Sequence, residues 1–70
     1  MNVVAVQSSS IGFIGYDTMS MTLRIVFRDG GTYDYHGVPE VVFQQFVSAP
    51  SKGKYYIKSI KGRFSPVRIQ

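Results

Sequence analysis

The sequence predicts an α+β domain: a three-stranded antiparallel β-meander followed by two short α-helices packed on one face. Three observations carry that expectation. The stretch SMTLRIVFR, residues 20–28, sets Met21, Leu23, Ile25 and Phe27 against Ser20, Thr22, Arg24, Val26 and Arg28, the period of a half-buried strand. Asp29-Gly30-Gly31 then marks a hairpin. Beyond Pro39 the apolar spacing lengthens to three and four, the period of a helix.

Taken in order, IGFIGYD (residues 11–17) reads as the first strand, with Ile11, Phe13, Ile14 and Tyr16 as its apolar content. Residues 17–20 are polar enough to turn the chain into the second strand, and TYDYH (residues 32–36) is the third. Val38, Val42, Phe43, Phe46 and Val47 share one helical face, with Pro39 suited to the first turn and Pro50 stopping the helix. Ser51 is a natural N-cap for a second helix with Tyr56, Ile57, Ile60 and Phe64 as its apolar stripe. Ser65-Pro66 ends that helix and leaves VRIQ as an extended tail. No repeat or linker interrupts residues 1–70, so they form a single domain.

Composition bounds the chemistry. At 44% hydrophobic and 14% aromatic residues the chain is too apolar for disorder. With no cysteine it has no disulfide and no thiolate metal site, which fits a reducing cytoplasm. No apolar run reaches the roughly 18 residues of a membrane span, and the first residues lack the basic flank of a secretory signal. Charge is divided unevenly. Residues 1–40 hold Arg24 and Arg28 against four acids, whereas residues 41–70 hold Lys52, Lys54, Lys58, Lys61, Arg63 and Arg68 with no acid. Such a division suits a surface that meets phosphates or an acidic protein. Lys54, Lys58 and Lys61 fall at helical spacing on one face, with Tyr55 at its border.

Tyr33 and Tyr35 raise a question of register, because a slip of one residue sends both to the other sheet face. A two-residue Asp29-Gly30 loop sets Val26 against Tyr33 and Arg24 against Tyr35, giving an exposed Arg24/Tyr33/Tyr35 platform of the kind that stacks single-stranded bases. A three-residue loop, residues 29–31 with Gly31 left-handed, sets Phe27 against Tyr33 and Ile25 against Tyr35. The second keeps the Asp34 carboxylate out of the core and gives favourable aromatic pairs, so it is preferred.

His36, the one histidine, has no cysteine or second histidine with which to hold zinc. Asp34 and the serines 8–10 are too common a set to name a nucleophile and base, so no catalytic residue, metal or cofactor is expected. The serines are expected to bond locally to the backbone.

In combination these pieces resemble the KTSC domain, a small bacterial family that occurs alone and at the C-terminus of some lysyl-tRNA synthetases. The resemblance runs through VQSSSI (residues 6–11), IGYD (14–17), TLRIVF (22–27), GGTYDYHGVP (30–39) and APSKGKYY (49–56), and on to Ile60, Phe64 and Arg68. Ile57 stands where the family pattern has asparagine, and Ser65–Val67 departs from its usual Tyr-Pro-rich ending. The resemblance implies no chemistry. It suggests RNA binding, and points to Tyr33 and Tyr35 in the Tyr-x-Tyr motif and to Lys52, Lys54 and Tyr55 in Ser-x-Gly-x-Tyr. Lys58, Lys61 and Arg63 come from charge alone. The leading expectation is a cytoplasmic, non-enzymatic module that binds RNA, such as tRNA, through the basic second helix with aromatic support. The alternative is an adaptor, bacterial or phage-encoded, that docks on an acidic protein.

Overall fold

A computed structural model describes residues 1–70. Its centre is an antiparallel sheet of five strands in sequential order: β1 (Asn2–Ala5), β2 (Ile11–Asp17), β3 (Thr22–Phe27), β4 (Thr32–Tyr35) and β5 (Pro66–Arg68). Helix α1 (Glu40–Ser48) and a second helix, α2 (Lys52–Tyr55), follow β4. Helix α2 runs directly into a π-helical turn, Tyr56–Ile60, closed by the Lys61 N–H donating to the Tyr56 carbonyl.

The α+β class and both helices are as the sequence predicts, but the sheet has five strands rather than three. The two extra strands are its edges. Strand β1 is exposed throughout, so no inside-outside alternation marks it; its pairing to β2 makes it a strand. Strand β5 (Pro66–Arg68) overlaps the stretch expected to be an extended tail outside the sheet. It is recruited because β4 offers an open edge, where Tyr33 pairs with Arg68 and Tyr35 with Pro66. Proline is tolerated there because one side of an edge strand needs no N–H donor.

The β2 strand carries Ile11 and Ile14, three apart and both fully buried. A two-residue period cannot place them on one face. The register shift between Ile11 and Phe13 inserts the extra residue that does, and Phe13 turns outward. On the covered face Ile11, Ile14, Tyr16, Leu23, Ile25 and Tyr35 meet Val38, Phe46 and Ile60. The Tyr16 ring stacks on Phe43, and its hydroxyl donates to the Val38 carbonyl, tying β2 to the start of α1.

Hairpin β3–β4 settles the register. Ile25 pairs with Tyr33 and Leu23 with Tyr35, and the loop is residues 28–30, closed by Phe27 N–H to the Gly31 carbonyl. It is a three-residue loop, but one position earlier than expected, and the left-handed residue is Gly30 (φ +107°), not Gly31. Moving the loop by one changes each partner by two, so both tyrosines keep the expected face while their neighbours change. Gly31 is needed for space instead: a Cβ there would stand 2.9 Å from the Tyr33 ring.

Ser51 caps α2 as expected, its Oγ accepting from the Lys54 N–H. The helical segment ends at Ile60, sooner than the apolar stripe suggests. Ile57 is 64% exposed, and Gly62 (φ +80°) turns the chain before Phe64. Ser8 Oγ accepts from the N–H groups of Ser10 and Ile11, the local bonding its sequence indicated. No helix is long and apolar enough to cross a membrane.

Candidate nucleic-acid interface

The ten residues singled out by sequence fall into three places. Tyr33, Tyr35 and Arg68 come together in a cleft of about 450 Å³ between the β4–β5 edge and the helical segment. Tyr56, Phe27 and Pro66 complete its walls, with Asp29 and Gly31 at one end. Tyr35 forms the floor, 2% exposed, its hydroxyl 2.8 Å from that of Tyr56. Burial and that hydrogen bond push the Tyr35 phenol well above its ordinary range. Phe27 meets Tyr33 and Tyr56 edge to face, at 5.8 and 5.4 Å between centroids. The Arg68 guanidinium lies 5.7 Å over the Tyr33 ring, a cation–π contact open to solvent.

Lys54, Tyr55 and Lys58 line a second, shallower hollow with Ala49, Pro50 and Ser51. The consecutive residues Tyr55 and Tyr56 diverge. Tyr56 reaches the sheet, while Tyr55 stacks on Phe46 at 5.3 Å and its hydroxyl lies within reach of the Val42 carbonyl and Gln45 Oε1. Tyr55 is therefore an anchor between the helices with one edge showing. Lys52 donates to the Ala49 carbonyl beyond the end of α1, and Arg63 donates to the Lys58 carbonyl at 3.0 Å. Both satisfy helix-end carbonyls, as the dipole favours. Lys61 does not share the Lys54/Lys58 face as a helical residue: it is extended (ψ 125°), just past the helical segment, though still exposed.

Arg24 stands apart. It projects from the opposite face of the sheet and forms a bidentate pair with Asp34, at 2.7 and 2.9 Å, which raises its pKa further. The platform of Arg24 with Tyr33 and Tyr35 does not form, because antiparallel pairing sets Arg24 opposite Asp34 and sends its alternate neighbours to the other face. His36 is exposed, with Nδ1 3.0 Å from Thr22 Oγ1, and no group of three histidine, cysteine, aspartate or glutamate residues gathers to hold a metal.

Sequence reasoning missed Tyr56, Phe27 and Asp29 as cleft residues. Tyr56 and Phe27 read as core by period, which they are in part. Asp29 read as turn chemistry, and its Oδ1 does accept from the Gly31 N–H at 3.2 Å.

The KTSC domain model matches residues 7–64, most of this geometry. The chain belongs to the KTSC domain family. A crystal structure of a KTSC domain protein from Yersinia pestis superposes with a TM-score of 0.95 at 46% identity, covering 99% of this chain and 97% of that one. Among curated relatives, lysine–tRNA ligases of Trichormus variabilis and Nostoc sp. are 43% identical over 49 residues and 40% identical over 58. Those matches take in 70% and 83% of this chain but only 9% and 10% of the ligases. An uncharacterised protein of Stutzerimonas stutzeri is 38% identical, with 87% of this chain and 86% of its own length aligned. The KTSC domain is thus found both as a small protein and as a minor part of a tRNA ligase.

Proposed function

We propose that this KTSC domain is an RNA-binding accessory module, fitted to single-stranded or looped segments of structured RNA such as tRNA. The observation that carries the reading is the aromatic cleft of Tyr33, Tyr35, Tyr56 and Phe27 with Arg68 at its mouth. On the helical segment stand Lys54 and Lys58, with Lys61 just past its end, all exposed and none in an ion pair. Aromatic faces beside a basic track are what unpaired nucleotides need: stacking for the bases, cations for the phosphates. The kinship with lysine–tRNA ligases agrees with this role.

A second reading is a docking module for a larger protein. It is favoured by the uncovered sheet face, where Val3, Phe13, Val67 and Ile69 are 45–52% exposed around the Arg24–Asp34 pair.

The test is a titration of isotope-labelled protein with tRNA, a short single-stranded RNA and heparin, at low and moderate salt. Shifts at Tyr33, Tyr56 and Arg68 with RNA but not heparin are expected. Shifts shared equally with heparin and confined to the lysines would reduce the interaction to a generic basic patch. Shifts with neither would leave the docking module as the better reading.

A further inference from the structure

We infer that the cleft is a base-reading subsite that takes one unpaired guanine, with Asp29 as the specificity residue; this rests on the RNA reading above. The Tyr33 ring and the Asp29 carboxylate converge on Gly31. A Cβ built on that glycine would lie 2.9 Å from the ring and 3.7 Å from Asp29 Oδ1. One carboxylate oxygen accepts from the Gly31 N–H at 3.2 Å, which orients the exposed side chain and leaves the second oxygen without a bond inside the protein. An aromatic surface therefore has an acceptor-only group at its edge.

Among the bases, guanine matches that edge. Its Watson–Crick side offers two adjacent donors, N1–H and the N2 amino group, to a carboxylate. Uracil has one N3–H donor flanked by two carbonyl oxygens, which a carboxylate repels, and adenine and cytosine offer one amino group beside a bare acceptor nitrogen. Arg68 completes the fit. Its guanidinium now covers the Tyr33 face that a base would take, and its own hydrogen bond is only to the Gln70 carbonyl at 3.1 Å, so it is free to be displaced. The base takes the Tyr33 face, and the displaced guanidinium moves to the 5′-phosphate. A cleft of about 450 Å³ has room for one nucleotide and not for a stacked pair.

The experiment titrates GMP, AMP, CMP and UMP, and then pentanucleotides of uridine with and without one central guanosine, into labelled protein. GMP is expected to shift Gly31, Tyr33, Tyr56 and Arg68 and to bind about tenfold more tightly than UMP, the discrimination of one well-matched base edge. Asp29→Asn keeps an oxygen for the Gly31 N–H and should bring GMP to the level of AMP. Tyr33→Leu should abolish the response, while Tyr33→Phe should retain it. Equal responses to all four nucleotides, or an unchanged preference in Asp29→Asn, would overturn the inference. If the pentanucleotides shift Tyr33, Tyr56 and Arg68 equally with and without the guanosine, the base subsite falls while the RNA reading stands. If GMP fills the cleft but the longer strands gain no salt-dependent affinity, the subsite stands and the RNA reading falls. Silence toward every probe would remove both.

Discussion

Tyr35 and Tyr16 spend their hydroxyls inside the fold, on Tyr56 and on the Val38 carbonyl, and burial raises both phenol pKa values. A folded-state pKa above the unfolded one means that the folded chain holds its proton longer. The associated stability is whole below about pH 10, the unfolded tyrosine value, and is lost as pH climbs from there toward the folded values. Thermal melts should therefore show a steep fall in Tm above that pH. Tyr35→Phe should cost about 0.5–1.5 kcal/mol at neutral pH, the worth of one hydrogen bond, while making the alkaline fall shallower. An alkaline profile identical to the parent's would show that Tyr35 does not control it. Arg24 supplies a second case. Asp34 is 7% exposed on the sheet face away from the core, and the guanidinium is its partner. Arg24→Leu should destabilise by roughly 1–3 kcal/mol, the cost of leaving a nearly buried acceptor unpaired, and should leave RNA binding intact. A loss of RNA affinity without a loss of stability would return Arg24 to the binding surface.

The helical segment from Lys52 to Ile60 decides where both candidate surfaces lie. Its first turn hangs on Ser51, and Tyr55 and Tyr56 brace it against α1 and the sheet. Ser51→Ala should cost about 1 kcal/mol by removing the cap, read from denaturant midpoints, with Lys54 the first amide to lose exchange protection. Unchanged protection at Lys54 would mean that tertiary bracing alone holds the turn. The cap and both helices were legible in the sequence, because capping and apolar period act within a few residues. The π-helical turn was not. It ends on the fully buried Ile60, a tertiary contact that nothing local specifies. The edge strands were hidden for a related reason: β1 and β5 are exposed on both faces, so pairing makes them strands and no hydrophobic alternation announces them.

Over the whole molecule, the sequence asymmetry of charge becomes a spatial one. All six basic residues of the stretch 41–70 fall on the helical segment, its exit and β5, while the acid that neutralises Arg24 sits beside it on the far sheet face. If phosphates follow this track, the logarithm of RNA affinity should fall linearly with the logarithm of salt concentration. Changing Lys54 and Lys58 together to Gln should flatten that slope by roughly 1.4, about 0.7 for each single-strand phosphate that no longer meets a cation. A slope that does not change would show that these two lysines do not meet phosphate, and would leave the cleft with Arg68 as the whole interface.

By itself the sequence determined the α+β class, the central meander, the helix starts and the crowding of positive charge toward one end, since these depend on neighbours in the chain. It also favoured the face on which Tyr33 and Tyr35 lie, because an unpaired Asp34 in the core would be too costly. The tertiary structure alone decided the five-stranded sheet, the shifted loop at residues 28–30 and the use of Arg24 by Asp34. It also decided the gathering of Tyr33, Tyr56, Arg68 and Asp29 around one cleft. Each of these needs groups distant in sequence to meet, and only the closing of β5 onto β4, with Tyr56 laid against the sheet, brings them within reach.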